Sequence, residues 1–530
     1  MSPDASPRAL SIPSRRPRET VKSYMERARR TLRLAGPAAS YAWKSAYESG
    51  LAEAYRLRDW DGYSAIAMLA AVGLELEERR EEALAQIDFA LGMAQDAPDV
   101  TSLLLGGKAI YNGFLGRDVD ARRDIASAGE AVRRSESKKA QLDHVTNRGM
   151  LDCILLQVNT VDEVAAAISE ADQTGSDAQG SALKTWLVAY LFATGRAKAA
   201  EPWIEALRIQ AAAVGHPARA ADAAAFARAL QLAAGHSPTE KEDALAHYNP
   251  NATWRADLLA LRWSLYTGDL TGARESAAAL GRPGARFCGT LPSGVNPYEV
   301  LVERYRGAAA VDAQPWSSVT VVNLPAILAC IEAVAIGGTQ TAAHQWRDWI
   351  ERNLPATVRT SLEWPVAVDR IVGLLELRGG ASRRAVARLR RAVEWADSTG
   401  YALEGAIARV QLAETVLQAD IQAKRTREIR ALREAGWETL AALKVPPFLH
   451  AYAVSQALAL RMSPGREPQL SRREVEVLEL LAEGLSYKEI GERLGIGWRT
   501  AQVHSYNVYR KLDVRGKVQA VTVAREIGIL

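Results

Sequence analysis

From about residue 37 to residue 460, apolar side chains recur three and four positions apart, and no stretch alternates apolar with polar residues. Thr185–Leu207 and Arg255–Leu280 show the pattern clearly. A strand with one buried face repeats every two residues, so this spacing excludes a sheet as the organising element and predicts helices. The composition agrees. Apolar residues make up 48% of the 530 positions and aromatics only 7%. Most of the apolar share is Ala, Leu and Val; Ala and Leu favour helices and let them approach closely. At ~150 residues per domain, the length allows three or four domains.

The helices are expected to come in pairs joined by tight turns. Gly116-Arg117-Asp118, Gly195-Arg196-Ala197, Gly268-Asp269-Leu270 and Gly379-Gly380-Ala381 look alike. In each, glycine supplies the left-handed residue that ends a helix. Their spacings of 79, 73 and 111 residues are close to two, two and three units of ~37 residues. That resembles a degenerate tetratricopeptide-type repeat. The expected fold is therefore all-α: a tetratricopeptide-like solenoid over 37–461 that senses or interacts, followed by a separate C-terminal module. Residues 282–323 carry Pro283, Pro292, Pro297 and Pro315 and read as a long loop or a break between two halves. The tryptophans, among them Trp186, Trp203, Trp254, Trp263, Trp346, Trp349 and Trp395, read as core at this spacing, with a ligand-holding role as the alternative.

Charge and cysteine narrow the function classes. The net charge of +4 is small, so its distribution matters more than its sum. Residues 1–36 hold nine Lys or Arg, with several prolines. They read as a basic, largely disordered tail, with a phosphate-binding arm as the alternative. Cys153, Cys288 and Cys330 are far apart, with no CxxC or Cys/His ligand spacing. Buried thiols in a reducing compartment and no metal site are expected. No signal peptide or apolar run of ~18 residues is visible, so a cytoplasmic, non-membrane protein is expected. No GxSxG or HExxH string occurs; neither an enzyme nor a cofactor is expected.

Met462-Ser-Pro-Gly-Arg-Glu-Pro468 reads as part of a linker over 462–469. Beyond it, Ser471 with Glu474 forms a capping box, and Val475, Leu478 and Leu481 form an apolar stripe up to Gly484. Ser486 with Glu489 forms a second box, opening a short helix with Ile490 and Leu494 inward and Gly495 at its end. Ile496–Thr500 reads as a turn into a third helix reaching about Leu512, with Val503, Val508 and Leu512 able to face the core. A fourth helix is expected over 517–527, with Val518, Val521 and Ala524 on one side. Two short helices, a tight turn and a longer polar helix make a helix-turn-helix. The third helix and its exit carry Arg499, Arg510, Lys511, Arg515 and Lys517 against Asp513. That local excess is the footprint of a polyanion binder.

These residues resemble the LuxR-type helix-turn-helix over 470–530. The resemblance rests on Leu470-Ser-Arg-Arg-Glu-Val-Glu-Val-Leu, Ala482-Glu-Gly-Leu-Ser486, Lys488-Glu-Ile490, Leu494-Gly-Ile496, Thr500, His504, Tyr509-Arg-Lys-Leu512 and Ala524-Arg-Glu-Ile-Gly-Ile-Leu530. It implies double-stranded DNA as partner, with Gln502, Val503 and Tyr506 at base edges and Lys488, Arg499, Thr500 and Lys511 at phosphates; Arg510 adds charge to the same helix. It also implies Glu474 as a structural acid and a homodimer on DNA formed through the fourth helix. The sequence departs from the family at Gly497, where a Ser or Thr commonly caps the helix. It departs again at Thr500-Ala501-Gln502, where Thr-Val-Lys is usual. Gln in place of Lys suits adenine, through a bidentate pair.

Receiver-type strands and a GxxxxGK[ST] loop are absent; the nearest string is Gly106-Gly107-Lys108-Ala109. The whole resembles a MalT-like regulator without its ATPase domain. The expected function is a transcription regulator whose repeats bind a small-molecule or protein effector. The alternative is an interaction scaffold whose degenerate helix-turn-helix binds DNA weakly or not at all.

Overall fold

The computed structural model describes residues 23–24, 39–76, 79–93, 97–175, 177–214, 217–238, 250–281, 295–305, 318–419, 426–444, 470–512, 514, 516–526 and 530. Among them are 23 α-helices and no strand. The chain divides into two compact units, Met1–Gln456 and Ala457–Leu530. The linker expected at 462–469 and the basic tail, apart from Ser23 and Tyr24, lie outside the described residues.

In the first unit helices pack against their neighbours in sequence and against the helix two places on, as Lys138–Ile154 does against Pro98–Phe114 and Asp177–Ala193. Several of the reversals share one device. Gly116, Leu156, Gly195, Gly235 and Gly268 all have positive φ, at intervals of 40, 39, 40 and 33 residues. At four of these turns the following N–H reaches back five residues. Arg117 donates to the Asn112 carbonyl (2.8 Å), Gln157 to Asp152 (2.8 Å), Arg196 to Leu191 (2.7 Å) and His236 to Gln231 (2.9 Å). Each bond satisfies a carbonyl left over at the end of a helix. Gly380 repeats the turn, with Ala381 donating to the Glu376 carbonyl (2.8 Å). The sequence showed every second turn of the first part of the series. It hid Leu156 because a left-handed leucine costs about 1–2 kcal/mol; here the side chain is buried, which offsets that cost.

The described residues of the proline-rich stretch include a helix where a loop or break was expected. Pro297–Tyr305 is a helix, opened by Asn296, whose Oδ1 accepts from Tyr298 N (3.0 Å). Pro297 begins the helix because a first-turn residue has no need of its N–H. Residues 282–294 and 306–317 lie outside the described residues. Gly106-Gly107-Lys108 sits inside the helix Pro98–Phe114. There the two glycines meet the side chains of Asn147 and Met68, so they serve helix packing, not a phosphate loop.

Trp254, Trp346 and Trp349 are buried, and Trp186, Trp203, Trp263 and Trp395 are half-buried. Cys153 and Cys330 are buried thiols, pushed up in pKa by desolvation; Cys288 lies outside the described residues. No described helix is long and apolar enough to cross a membrane.

The first unit also encloses charge. Arg262 Nη1 donates to Glu332 Oε2 (2.7 Å). Arg370 Nε donates to Glu404 Oε2 (2.6 Å), and Tyr266 Oη donates to Glu404 Oε1 (2.5 Å). Arg262 and Glu404 approach to 3.8 Å, and Arg370 and Glu332 to 3.7 Å, closing a ring of two cations and two anions. All four side chains are buried. Such a ring holds only because each charge is matched and hydrogen-bonded.

Candidate nucleic-acid interface

The C-terminal unit is built from local signals. Ser471 caps the helix Arg472–Ala482, and the box is reciprocal. Ser471 N donates to Glu474 Oε2 (2.7 Å), and Glu474 N donates to Ser471 Oγ (3.3 Å). Glu474 is buried. Its carboxylate satisfies the Ser471 amide, which is why an acid is tolerated there. Val477, Leu478, Leu480 and Leu481 seal the inner face, while Val475 is half-buried.

The helix Tyr487–Leu494 repeats the device with Ser486 and Glu489. Hydrogen bonds from the Ser486 side chain and backbone hold the Glu489 carboxyl below its usual range. Ile490 is buried. Gly491 lies against the next turn: a Cβ there would stand 2.8 Å from the Ile496 carbonyl oxygen and 3.1 Å from Trp498 N. Only glycine lets the two helices approach this closely. Gly495, in the left-handed region at φ +66°, ends the helix.

The third helix is Trp498–Lys511. It starts earlier than the turn expected over Ile496–Thr500, so Trp498, Arg499 and Thr500 already form its first turn. Its two faces differ sharply. Ala501, Ser505, Val508, Tyr509 and, just beyond its end, Leu512 are buried. The Ser505 hydroxyl donates to the Ala501 carbonyl within the helix (2.9 Å), so no polar group is left stranded there. On the other face Arg499, Thr500 and Gln502 are exposed, with Val503 at 58% and Tyr506 at 67%. Positions 499, 502, 503 and 506 share one face because they lie three and four apart. The expectation that Val503 can face the core is therefore corrected, since that face is already filled by Ala501 and Ser505. His504 is half-buried.

Lys488 is exposed in the first turn of the second helix. Arg510 and Lys511 fall in the last turn of the third, and their side chains lie outside the described residues. Trp498, which the sequence reading did not single out, is 51% exposed and carries the Arg499 guanidinium 5.2 Å from its ring centroid. Its signal was present: an aromatic just after Gly495-Ile496-Gly497, at a helix start.

The fourth helix is Lys517–Glu526. Ala520 and Ala524 face inward, with Val521 half-buried. Val518, expected on that side, is 79% exposed. The face shared by Ala520 and Ala524 lies more than ~90° round the helix from it. Lys517 is also reassigned. Its Nζ donates to the carbonyls of Gly484 (2.5 Å) and Leu485 (2.9 Å), behind the first helix. That ammonium ties the module together and is removed from the positive footprint.

Charge is nevertheless segregated. Residues 470–497 carry four basic and six acidic residues, whereas 498–530, with Lys517 set aside, carry five basic and two acidic. The positive half contains the exposed helix.

Residues 468–524 match the family described as bacterial regulatory proteins, luxR family. Curated relatives match over stretches of similar length. The transcriptional regulatory protein UhpA of Escherichia coli (strain K12) is 39% identical over 62 residues, 12% of this chain and 32% of the relative. LiaR of Bacillus subtilis (strain 168), a transcriptional regulatory protein, is 47% identical over 55 residues, 10% and 26% of the two chains. The nitrate/nitrite response regulator protein NarP of E. coli is 49% identical over 51 residues, 10% and 24%. The chain thus spans a third or less of the length of each of these three relatives. The C-terminal unit contains a LuxR-family helix-turn-helix domain.

Proposed function

We propose that the protein is a cytoplasmic transcription regulator that binds double-stranded DNA as a homodimer through the helix Trp498–Lys511. Gln502, Val503 and Tyr506 face the base edges. Lys488, Arg499, Thr500, Arg510 and Lys511 face phosphates at the flanks. The carrying observation is the two-faced third helix: its apolar side anchors it in the module while Gln502, Val503 and Tyr506 stand in solvent. A helix of this kind fits the major groove, where Gln pairs with adenine through two hydrogen bonds. Segregated positive charge supplies the salt-dependent part of the affinity. The helices of the first unit hold an effector, and binding there changes how the DNA-binding unit is presented. The chain acts by binding and not by catalysis.

Selection from a randomised duplex pool with the full-length protein tests this. The selected sites share a two-fold related motif containing adenine, and affinity falls steeply as salt rises. If no duplex is retained even at low salt, the regulator reading fails and the interaction-scaffold reading, favoured by Gln502 in place of the family's Lys, replaces it.

A further inference from the structure

In the first unit, three stretches far apart in sequence close on a cleft of about 490 Å³. They are residues 158–161, which open the helix Val161–Gln173; the Tyr190–Arg196 reversal; and the Thr357–Arg359 segment. Arg196 and Arg359 both line the cleft, and none of its lining residues is acidic.

Both arginines are placed by the fold. Arg359 N donates to the Ala193 carbonyl (2.7 Å), as does Thr360 N (3.2 Å), stitching this segment to the end of the helix Asp177–Ala193. Gly195 keeps the contact tight, since a Cβ on it would meet Arg359 Cβ at 3.1 Å. The Arg359 Nη1 donates only to the backbone carbonyls of Ala356 (2.5 Å) and Val358 (3.3 Å). Arg196 lies over the Tyr190 ring, 5.4 Å from its centroid, and its Nε donates to Thr194 Oγ1 (3.2 Å). Among the described residues neither guanidinium meets a carboxylate. Close by the situation is the opposite: Arg388 and Arg391 both engage Asp369, at 2.8 and 3.1 Å. The cleft therefore gathers two cations without a protein anion. Thr160, which caps the helix Val161–Gln173, lies on the same wall; Asp162 and Glu163 in that helix's first turn offset its positive end, so the two arginines supply the cleft's charge.

We propose that this cleft binds a small organic oxyanion bearing phosphate or carboxylate. Arg196 and Arg359 grip the charged group through their remaining N–H donors, and the Thr160 and Thr357 hydroxyls lie beside the rest of the molecule. The volume admits a metabolite-sized ligand, and its lack of acids rejects cations. The binding stands on this geometry alone; its role as the effector rests on the regulator reading above.

Calorimetric titration of the full-length protein with glycerol 3-phosphate, with citrate and with uncharged glycerol tests the proposal. At least one anion binds and glycerol does not; which anion binds identifies the headgroup. Arg196→Gln and Arg359→Gln each weaken binding about tenfold, the loss of one charge-assisted contact. Arg208→Gln, exposed elsewhere on the unit, leaves it unchanged. Should Arg359→Gln fail to fold, the exposed Arg196→Gln carries the test. Failure of both anions to bind at about 10 mM, or equal affinity in the parent and the Arg196→Gln variant, overturns it. Either failure leaves DNA retention by the same protein untouched, so the two readings are separable.

Discussion

The two units solve the same problem, burying the polar groups that helices bring with them, in different ways. The C-terminal unit keeps its polar requirements local. Ser471 with Glu474 and Ser486 with Glu489 close their boxes over three residues, and the interior between them is almost wholly apolar. The first unit uses local caps too, as at Thr160 and Thr339, but adds full charges buried across long sequence distances. Arg262 meets Glu332 70 residues away, and Arg255 meets Glu363 108 residues away (3.1 Å). Local caps specify where a helix begins; distant ion pairs specify which helices meet. A short module with few possible packings needs the first device. A long array of similar helices gains register from the second, because a mismatched pairing strands a charge.

The sharpest way to break this contrast is Glu404→Ala. It removes the partner of Arg370 and a neighbour of Arg262, leaving buried positive charge, and costs the first unit about 3–5 kcal/mol. Urea unfolding followed by tryptophan fluorescence reads it. Replacing Glu404 and Arg370 together with Leu and Met recovers much of the loss, whereas a simple sum of two single losses would show that the ring is not coupled.

This contrast also explains what could be read in advance. Both capping boxes, Gly484, Gly495 and the order of the four C-terminal helices were legible, since each depends on residues three to five apart. So were the left-handed glycines at 116, 195, 268 and 380. Leu156 and the ring around Arg262 were not, because neither the burial of one leucine nor the partner of one arginine is written near it in sequence. Within the module the errors were angular. Val503 and Val518 count as apolar by type, and only the packed helix shows that Ala501, Ser505, Ala520 and Ala524 occupy the inner faces.

A smaller effect is expected from Gly491→Ala, which drives a methyl against the Ile496 carbonyl and the start of the third helix. It costs the C-terminal unit about 1–3 kcal/mol and leaves the first unit's transition in place, as differential scanning calorimetry would show. A cost below that of an ordinary helix substitution would mean the two helices have room to separate. Ser471→Ala loses one cap at about 1 kcal/mol, read in the same experiment, with no change in the first unit.

The smallest effect concerns pH. Glu489 has a folded pKa depressed by Ser486. Its contribution is therefore complete above the ordinary carboxylate range and is lost as pH falls through the lower folded value. Glu489→Gln flattens this acid limb of the C-terminal melting curve. An unchanged limb would show that the second box contributes nothing measurable.

The central claim is that the exposed face of Trp498–Lys511 reads DNA, and base preference at Gln502 tests it most directly. On sites selected by the parent protein, Gln502→Ala relaxes discrimination at one adenine position in each half-site by about 1–3 kcal/mol and leaves the other positions as they were. An identical preference profile in the parent and the variant, on duplexes both retain, would contradict the account.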